Sequence, residues 1–196
     1  MKNNKGFTLI ELLAVIVILG ILLALAIPRV SQYINNSKKD SFVDAGKIFI
    51  DAVRYDITSE VYPAPVGSGD VTIVTIDKIK VEKTSNEKSA FGGKYLYNKS
   101  YVAVVNEGDG THPDYKYYFA AQDSKGYAIP LTSEDKLSTD VVVAKAKNKM
   151  EVTIQALCGS EEGTTSSYSH LSGLDSLHSG GWTATIFSTK ECGKNG

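Results

Sequence analysis

Hydrophobic positions along this chain change character at one point, near Pro28. From Leu12 to Ile27 every side chain is apolar or glycine, with no preferred face. The wider run from Phe7 to Ile27 holds 21 residues, about 31 Å as a helix at 1.5 Å per residue. That matches a hydrocarbon core of about 30 Å. Beyond Pro28 the apolar residues thin to a stripe: Val30, Tyr33, Ile34, Phe42, Ala45, Ile48, Phe49, Ala52, Val53 and Ile57. Spacings of three and four place them on one side of a helix, and lysines, aspartates and Arg54 decorate the remainder. The pattern predicts one helix from residue 7 to about residue 58. Its first part is suited to lipid or to other copies of itself, and its second part is amphipathic and suited to a domain core. Pro28 lacks the donor for the carbonyl of Ala24 and crowds it, which predicts a kink or a loosened turn. Gly20 adds a second weak point eight residues earlier.

Helical patterning stops at Tyr62-Pro63-Ala64-Pro65, and a connecting region runs over residues 59–93. Residues 71–76 within it have β character. Short strands are then expected at 94–98, 100–105, 115–121 and 127–131, with turns at Asn98-Lys99, 106–110 and 123–126. Turns this close together predict an antiparallel meander. Residues 132–148 fit a helical turn or a strand, while 150–157 and 182–188 read as strands. The alternating tyrosines, among them Tyr95, Tyr101, Tyr117 and Tyr118, divide between a face toward the helix and a face toward water. The fold class is therefore α+β: a long N-terminal helix on an antiparallel sheet domain over 94–157, closed by a cysteine-bounded region over 158–196.

Composition narrows the function classes. The formal net charge is −1, so no bulk basic surface points to nucleic acid. Phosphate-loop, His-Glu-x-x-His and Cys-x-x-Cys patterns are absent. His112, His170 and His178 read as loop residues, so neither an enzyme nor a cofactor is expected. Asn98-Lys99-Ser100 fits a glycosylation sequon, a three-residue pattern of little weight. Cys158 and Cys192 suggest one disulfide if that region is exported. Such a bridge would stabilise by about 3.5–4 kcal/mol on the chain-entropy estimate. Two thiols, or a metal site with His170 and His178, are the other readings. The serine-, glycine- and threonine-rich stretch 160–181 reads as exposed loop.

One residue does not suit a plain anchor. Glu11 places a carboxylate inside the apolar run, at a cost of about 2.5 kcal/mol or more. Lys2 and Lys5 precede the run and favour a cytoplasmic N-terminus. The apolar region is too long for an ordinary secretory signal, and no small-residue cleavage site follows it.

The string Lys5-Gly6-Phe7-Thr8-Leu9-Ile10-Glu11-Leu12-Leu13 resembles the class III leader and N-terminal motif of type IV prepilins and of the secretion and competence pseudopilins. The resemblance covers about the first 35 residues. It implies cleavage between Gly6 and Phe7 by a prepilin peptidase, with residues 1–6 as the leader. It further implies N-methylation of Phe7, a span over 7–28, the amphipathic half over 29–58, and residence first in the cell membrane, then in a surface filament. Glu11 would pair with the new amine of a neighbouring subunit and set axial register. Gly20 and Pro28 would mark a stretch able to unwind, and a Cys158–Cys192 loop would lie on the filament surface. The implied partners are other copies of the chain, the peptidase, an assembly platform with its ATPase, and membrane lipid. A pseudopilin and a non-polymerising membrane-anchored binding domain are the alternatives.

Overall fold

The computed structural model describes residues 6, 8–82, 84–144, 163, 165–168, 171, 174, 177 and 181–188. The chain divides into two units, Met1–Lys38 and Lys39–Gly196. One helix, α1, runs unbroken over Leu9–Thr58 with Pro28 inside it. In the first unit its large apolar side chains are all exposed, from Leu9 at 83% to Ile34 at 48%. No face is selected, as the uniform apolar run predicts.

The second unit selects a face. Phe42, Val43, Ala45, Gly46, Phe49, Ile50, Val53 and Ile57 are buried, the three-and-four spacing of an amphipathic helix. They pack on a sheet built from β1 (Val71–Thr75), β2 (Tyr101–Asn106), β3 (Tyr115–Gln122), β4 (Ala128–Ser133), β5 (Thr165–Tyr168) and β6 (Trp182–Phe187). The strand order is β4-β3-β2-β1-β6-β5. Strands β2 to β4 form the expected antiparallel meander, and β1 extends it by pairing antiparallel with β2. The order continues past β1 because β6 pairs with it in parallel, Val71 opposite Ala184 and Val74 opposite Phe187.

The central strands β1 and β2 are buried on both faces of the sheet. Along β2, Val102 and Val104 face the helix, while Tyr101, Ala103 and Val105 face the other way. That second face is covered by Trp182, Leu171 and Leu174 from the C-terminal region. Burial on two faces explains why β1 and β2 are buried at every position.

Several expectations need correction. The segment 71–76 is not part of a connector. It becomes β1, the strand between β2 and β6, because its alternate residues serve opposite faces. Residues 94–98 do not form a strand. Lys94 and Tyr95 make isolated bridges to Lys88 and Asp123, and Tyr97–Lys99 is a 3-10 turn. Tyr95 there fills the space between Phe42 and Phe49, at ring separations of 6.0 and 6.1 Å. Tyr101 and Tyr118 do not face water but join the second core. The stretch 160–181 is not all loop either. It holds β5, and Leu174 is 1% exposed. A buried leucine contributes about 1.5–3 kcal/mol, so two of them anchor this segment despite its polar composition. The turn at Ser133-Glu134-Asp135 forms as a 3-10 helix over Glu134–Lys136. The expected strand at 150–157 lies outside the described residues.

A buried carboxylate ties the loop before β2 to the turn between β3 and β4. Asp123 is 1% exposed. Its Oδ2 accepts the Ser89 hydroxyl at 2.5 Å, and its Oδ1 accepts the N–H groups of Lys125 and Tyr127 at 2.9 Å each. The Phe91 ring stacks on Tyr127 with centroids 3.7 Å apart, and Lys125 Nζ donates to the Phe91 carbonyl.

Candidate functional site

The helix start is held by side chains that the sequence places three residues apart. Thr8 immediately precedes α1, and its Oγ1 accepts the Glu11 N–H at 3.3 Å. In return Glu11 Oε2 accepts both the Thr8 N–H and the Thr8 hydroxyl, each at 2.8 Å. The backbone bond from Leu12 N–H to the Thr8 carbonyl closes the turn at 3.2 Å. This is a capping box: a threonine and a glutamate satisfy each other's end of a helix whose first donors have no partner within the helix. A carboxylate at this end is further favoured by the helix dipole.

The capping box alters the reading of Glu11. Its side chain is not the unpaired misfit that a plain anchor suggested, because its own chain supplies two donors to Oε2. Its other oxygen, Oε1, accepts no hydrogen bond among the described residues. The signal was present as Thr8-Leu9-Ile10-Glu11, a T-x-x-E pattern directly before an apolar helix. Gly6 is exposed, and Phe7 lies outside the described residues. The structure thus brings Thr8 to Glu11, while Gly20 and Pro28 sit farther along in continuous helix. A Cβ on Gly20 would meet nothing within 4 Å.

The remaining sequence candidates separate from this site. Cys158, Cys192, His170 and His178 lie outside the described residues. His112 is exposed, 3.8 Å from Asp109. Asn98 is 5% exposed, which closes its sequon to modification in the folded chain.

A second polar constellation was not signalled by any motif. Arg54, at the far end of α1, contacts Asp51 and Glu134, each at 2.5 Å. Its guanidinium carbon lies 4.5 Å from the ring centre of Tyr117. The Glu134 hydrogen bond raises the Arg54 pKa above its ordinary value. The same groove is lined by Glu107, Tyr115, Lys116, Tyr118, Asp135 and Lys136. Burial and the hydrogen bond to Glu107 push the Tyr118 phenol upward.

Comparison with known proteins concentrates on the helix. Residues 1–27 match the family model described as Prokaryotic N-terminal methylation motif. Fimbrial protein Q of Moraxella bovis is 46% identical over 59 residues, 29% of this chain and 38% of that protein. A type IV major alpha-pilin of the same organism is 44% identical over 59 residues, 29% of this chain and 37% of that protein. The matches span under two fifths of the length of these curated relatives. No solved structure gives a significant match. The leader motif, the two relatives and the long helix on an antiparallel-dominant sheet support a type IV pilin.

Proposed function

We propose that the chain is the structural subunit of a type IV pilus, cut after Gly6, N-methylated at Phe7 and polymerised into a surface filament. The observation that carries this reading is the state of Glu11 at the head of an exposed apolar helix. One carboxylate oxygen caps the helix through Thr8, and the other is available. Cleavage after Gly6 creates an α-amine one residue before Thr8, with an ordinary pKa near 8, and a methyl group leaves it basic. Glu11 can therefore keep its cap while Oε1 accepts from the amine of a neighbouring subunit. Such a pair sets register more than affinity, because desolvation consumes much of its attraction.

The first half of α1 supplies cohesion. Its apolar side chains suit lipid before assembly and the packed helices of a filament afterwards. Lipid is as apolar as those side chains, so leaving it gives little hydrophobic gain. Extraction then calls for an external energy source, which fits an assembly platform driven by a cytoplasmic ATPase. Gly20 and Pro28 give the helix a stretch that can yield during packing. The sheet domain within Lys39–Gly196 would be displayed outside, where adhesion, motility or DNA uptake act, and a Cys158–Cys192 bridge would close its C-terminal region.

The deciding experiment is mass spectrometry of the chain recovered from sheared cells. A mature N-terminus of methyl-Phe7 in a sedimenting filament fraction is expected. An intact Met1, or a processed chain found only in membranes, overturns the filament reading.

A further inference from the structure

Arg29 is the only charged side chain between Glu11 and Lys38. It is exposed, and it forms no hydrogen bond or ion pair among the described residues. The acidic residues closest to it along the chain are Glu11, about five turns back, and Asp40, about three turns on. Four residues before Arg29 stands Leu25, 67% exposed, and four residues after it stands Tyr33, 77% exposed. A spacing of four puts the three on one face of α1. In chain order that face is apolar, then cationic, then aromatic.

Orientation of the span does not account for this cation. The charge bias that orients a membrane helix places lysine and arginine on its cytoplasmic side, and Lys2 and Lys5 fill that role at the other end. Depth accounts for it better. With residues 7–27 filling about 30 Å of hydrocarbon, Arg29 stands about 3 Å beyond the outer edge, Tyr33 about 9 Å and Lys38 about 16 Å. The headgroup layer adds about 5–8 Å on each side. Helical side chains tilt toward the N-terminus, here back toward the bilayer. The Arg29 guanidinium therefore comes level with lipid phosphates while its aliphatic stem stays over the apolar end of the span. The Tyr33 ring comes to the headgroup boundary, where amphipathic aromatic rings collect. Lys38 is too far along to share this layer.

We propose that Arg29, with Tyr33 one turn on, is a binding site for the phosphate of an anionic phospholipid in the leaflet opposite the leader. The proposal rests on the membrane stage of the filament reading and not on polymerisation. A guanidinium meets a phosphate with two parallel hydrogen bonds, which an ammonium cannot do. With no carboxylate within about three turns, the phosphate has no competitor on the helix. A net negative headgroup adds attraction over a zwitterionic one, since a basic side chain near an anionic surface gains about fivefold in binding. The contact would hold the subunit at one depth until assembly, and it would be given up when the helix leaves lipid.

The test places the full chain in nanodiscs of equal parts phosphatidylglycerol and phosphatidylcholine, and native mass spectrometry reads which lipid stays bound. Wild type should retain phosphatidylglycerol over phosphatidylcholine by about fivefold. Arg29→Gln should bring the ratio to parity. Arg29→Lys should keep only part of the preference, because it retains the charge and loses the planar fork. Tyr33→Ala should lower retention of both lipids alike. Lys38→Gln with Lys39→Gln should leave the ratio as in wild type. A wild-type ratio in Arg29→Gln overturns the site, and so does a preference that disappears with Lys38 and Lys39 instead. Loss of the preference in excess inorganic phosphate, but not in chloride of equal ionic strength, would assign Arg29 to a free anion and overturn the lipid. A wild-type chain that does not enter nanodiscs overturns the membrane reading, and the site with it. Absence of filaments in cells overturns polymerisation alone, and the lipid ratio still decides the site.

Discussion

Gly46 decides how closely the helix lies on the sheet, and replacing it tests that packing directly. A Cβ at residue 46 would lie 2.8 Å from both Cδ1 and Cε1 of Phe119. Ordinary carbon contacts are about 3.5–4.0 Å, so the ring must move by a large fraction of an ångström. It has little room to do so. Phe119 is fully buried, and its ring stacks on Phe49 with centroids 6.0 Å apart. Valine at this position adds two further carbons to the same clash. Overpacking of a filled core costs about 1–3 kcal/mol. Against it stands the better helix propensity of valine over glycine, a few tenths of a kcal/mol. The expected result for Gly46→Val is a loss of about 1–3 kcal/mol.

The assay is urea unfolding of the full chain in detergent micelles, followed by fluorescence of its single tryptophan. Trp182 is 1% exposed in the second core, so its emission reports opening of the domain. Phe119→Ala removes the obstructing ring at a cost of about 3–5 kcal/mol. In that background Gly46→Val should cost nothing or stabilise, giving a coupling of about 1–3 kcal/mol between the two sites. Equal effects of Gly46→Val with and without the Phe119 ring would refute the reasoning, as would an unchanged midpoint in the wild-type background.

Three other perturbations follow from named contacts. Thr8→Ala removes the hydroxyl half of the capping box, worth about 1 kcal/mol, so amide exchange at residues 9–12 in micelles should quicken about fivefold; unchanged exchange would show that the box does not hold the turn. Asp123→Ala leaves the Ser89 hydroxyl and two N–H groups without their buried acceptor and should cost about 3 kcal/mol or more, read as a lowered urea midpoint, with Ser89→Ala costing less; equal costs would contradict the hub role. The carboxyl of Asp109 is held below its ordinary pKa by the N–H groups of His112 and Thr111. A depressed folded-state pKa contributes stability that is complete above the unfolded value and disappears as pH falls through the folded one. The 109–112 turn should therefore hold at neutral pH and loosen only in acid, seen as faster exchange at Thr111 and His112 beyond the intrinsic pH effect; a turn equally protected on both sides of that range would exclude the mechanism.

The sequence by itself determined the helix and its two halves. An all-round apolar run followed by a stripe leaves no other element of that length, and the structure carries α1 from Leu9 to Thr58. It also held the capping box, since Thr8 and Glu11 are close enough along the chain for local geometry to join them. The antiparallel meander from β2 to β4 was visible for the same reason: its turns are short and local.

What only the tertiary structure decided depends on contacts between residues far apart in the chain. Val71–Thr75 read as part of a connector because nothing in five residues says that a strand more than a hundred positions later will pair beside it. The tyrosines turned away from the helix were expected to meet water, yet Tyr101 and Tyr118 are in a second core, because Leu171, Leu174 and Trp182, which join them there, sit in a stretch too polar to announce one. The partners of Arg54 come from i+3 on its own helix and from residue 134, and only the packing of α1 on β3 brings the latter within reach. Local periodicity sets which element forms and which face it buries. Which face finds a second cover is set by long-range burial, and no local pattern encodes that.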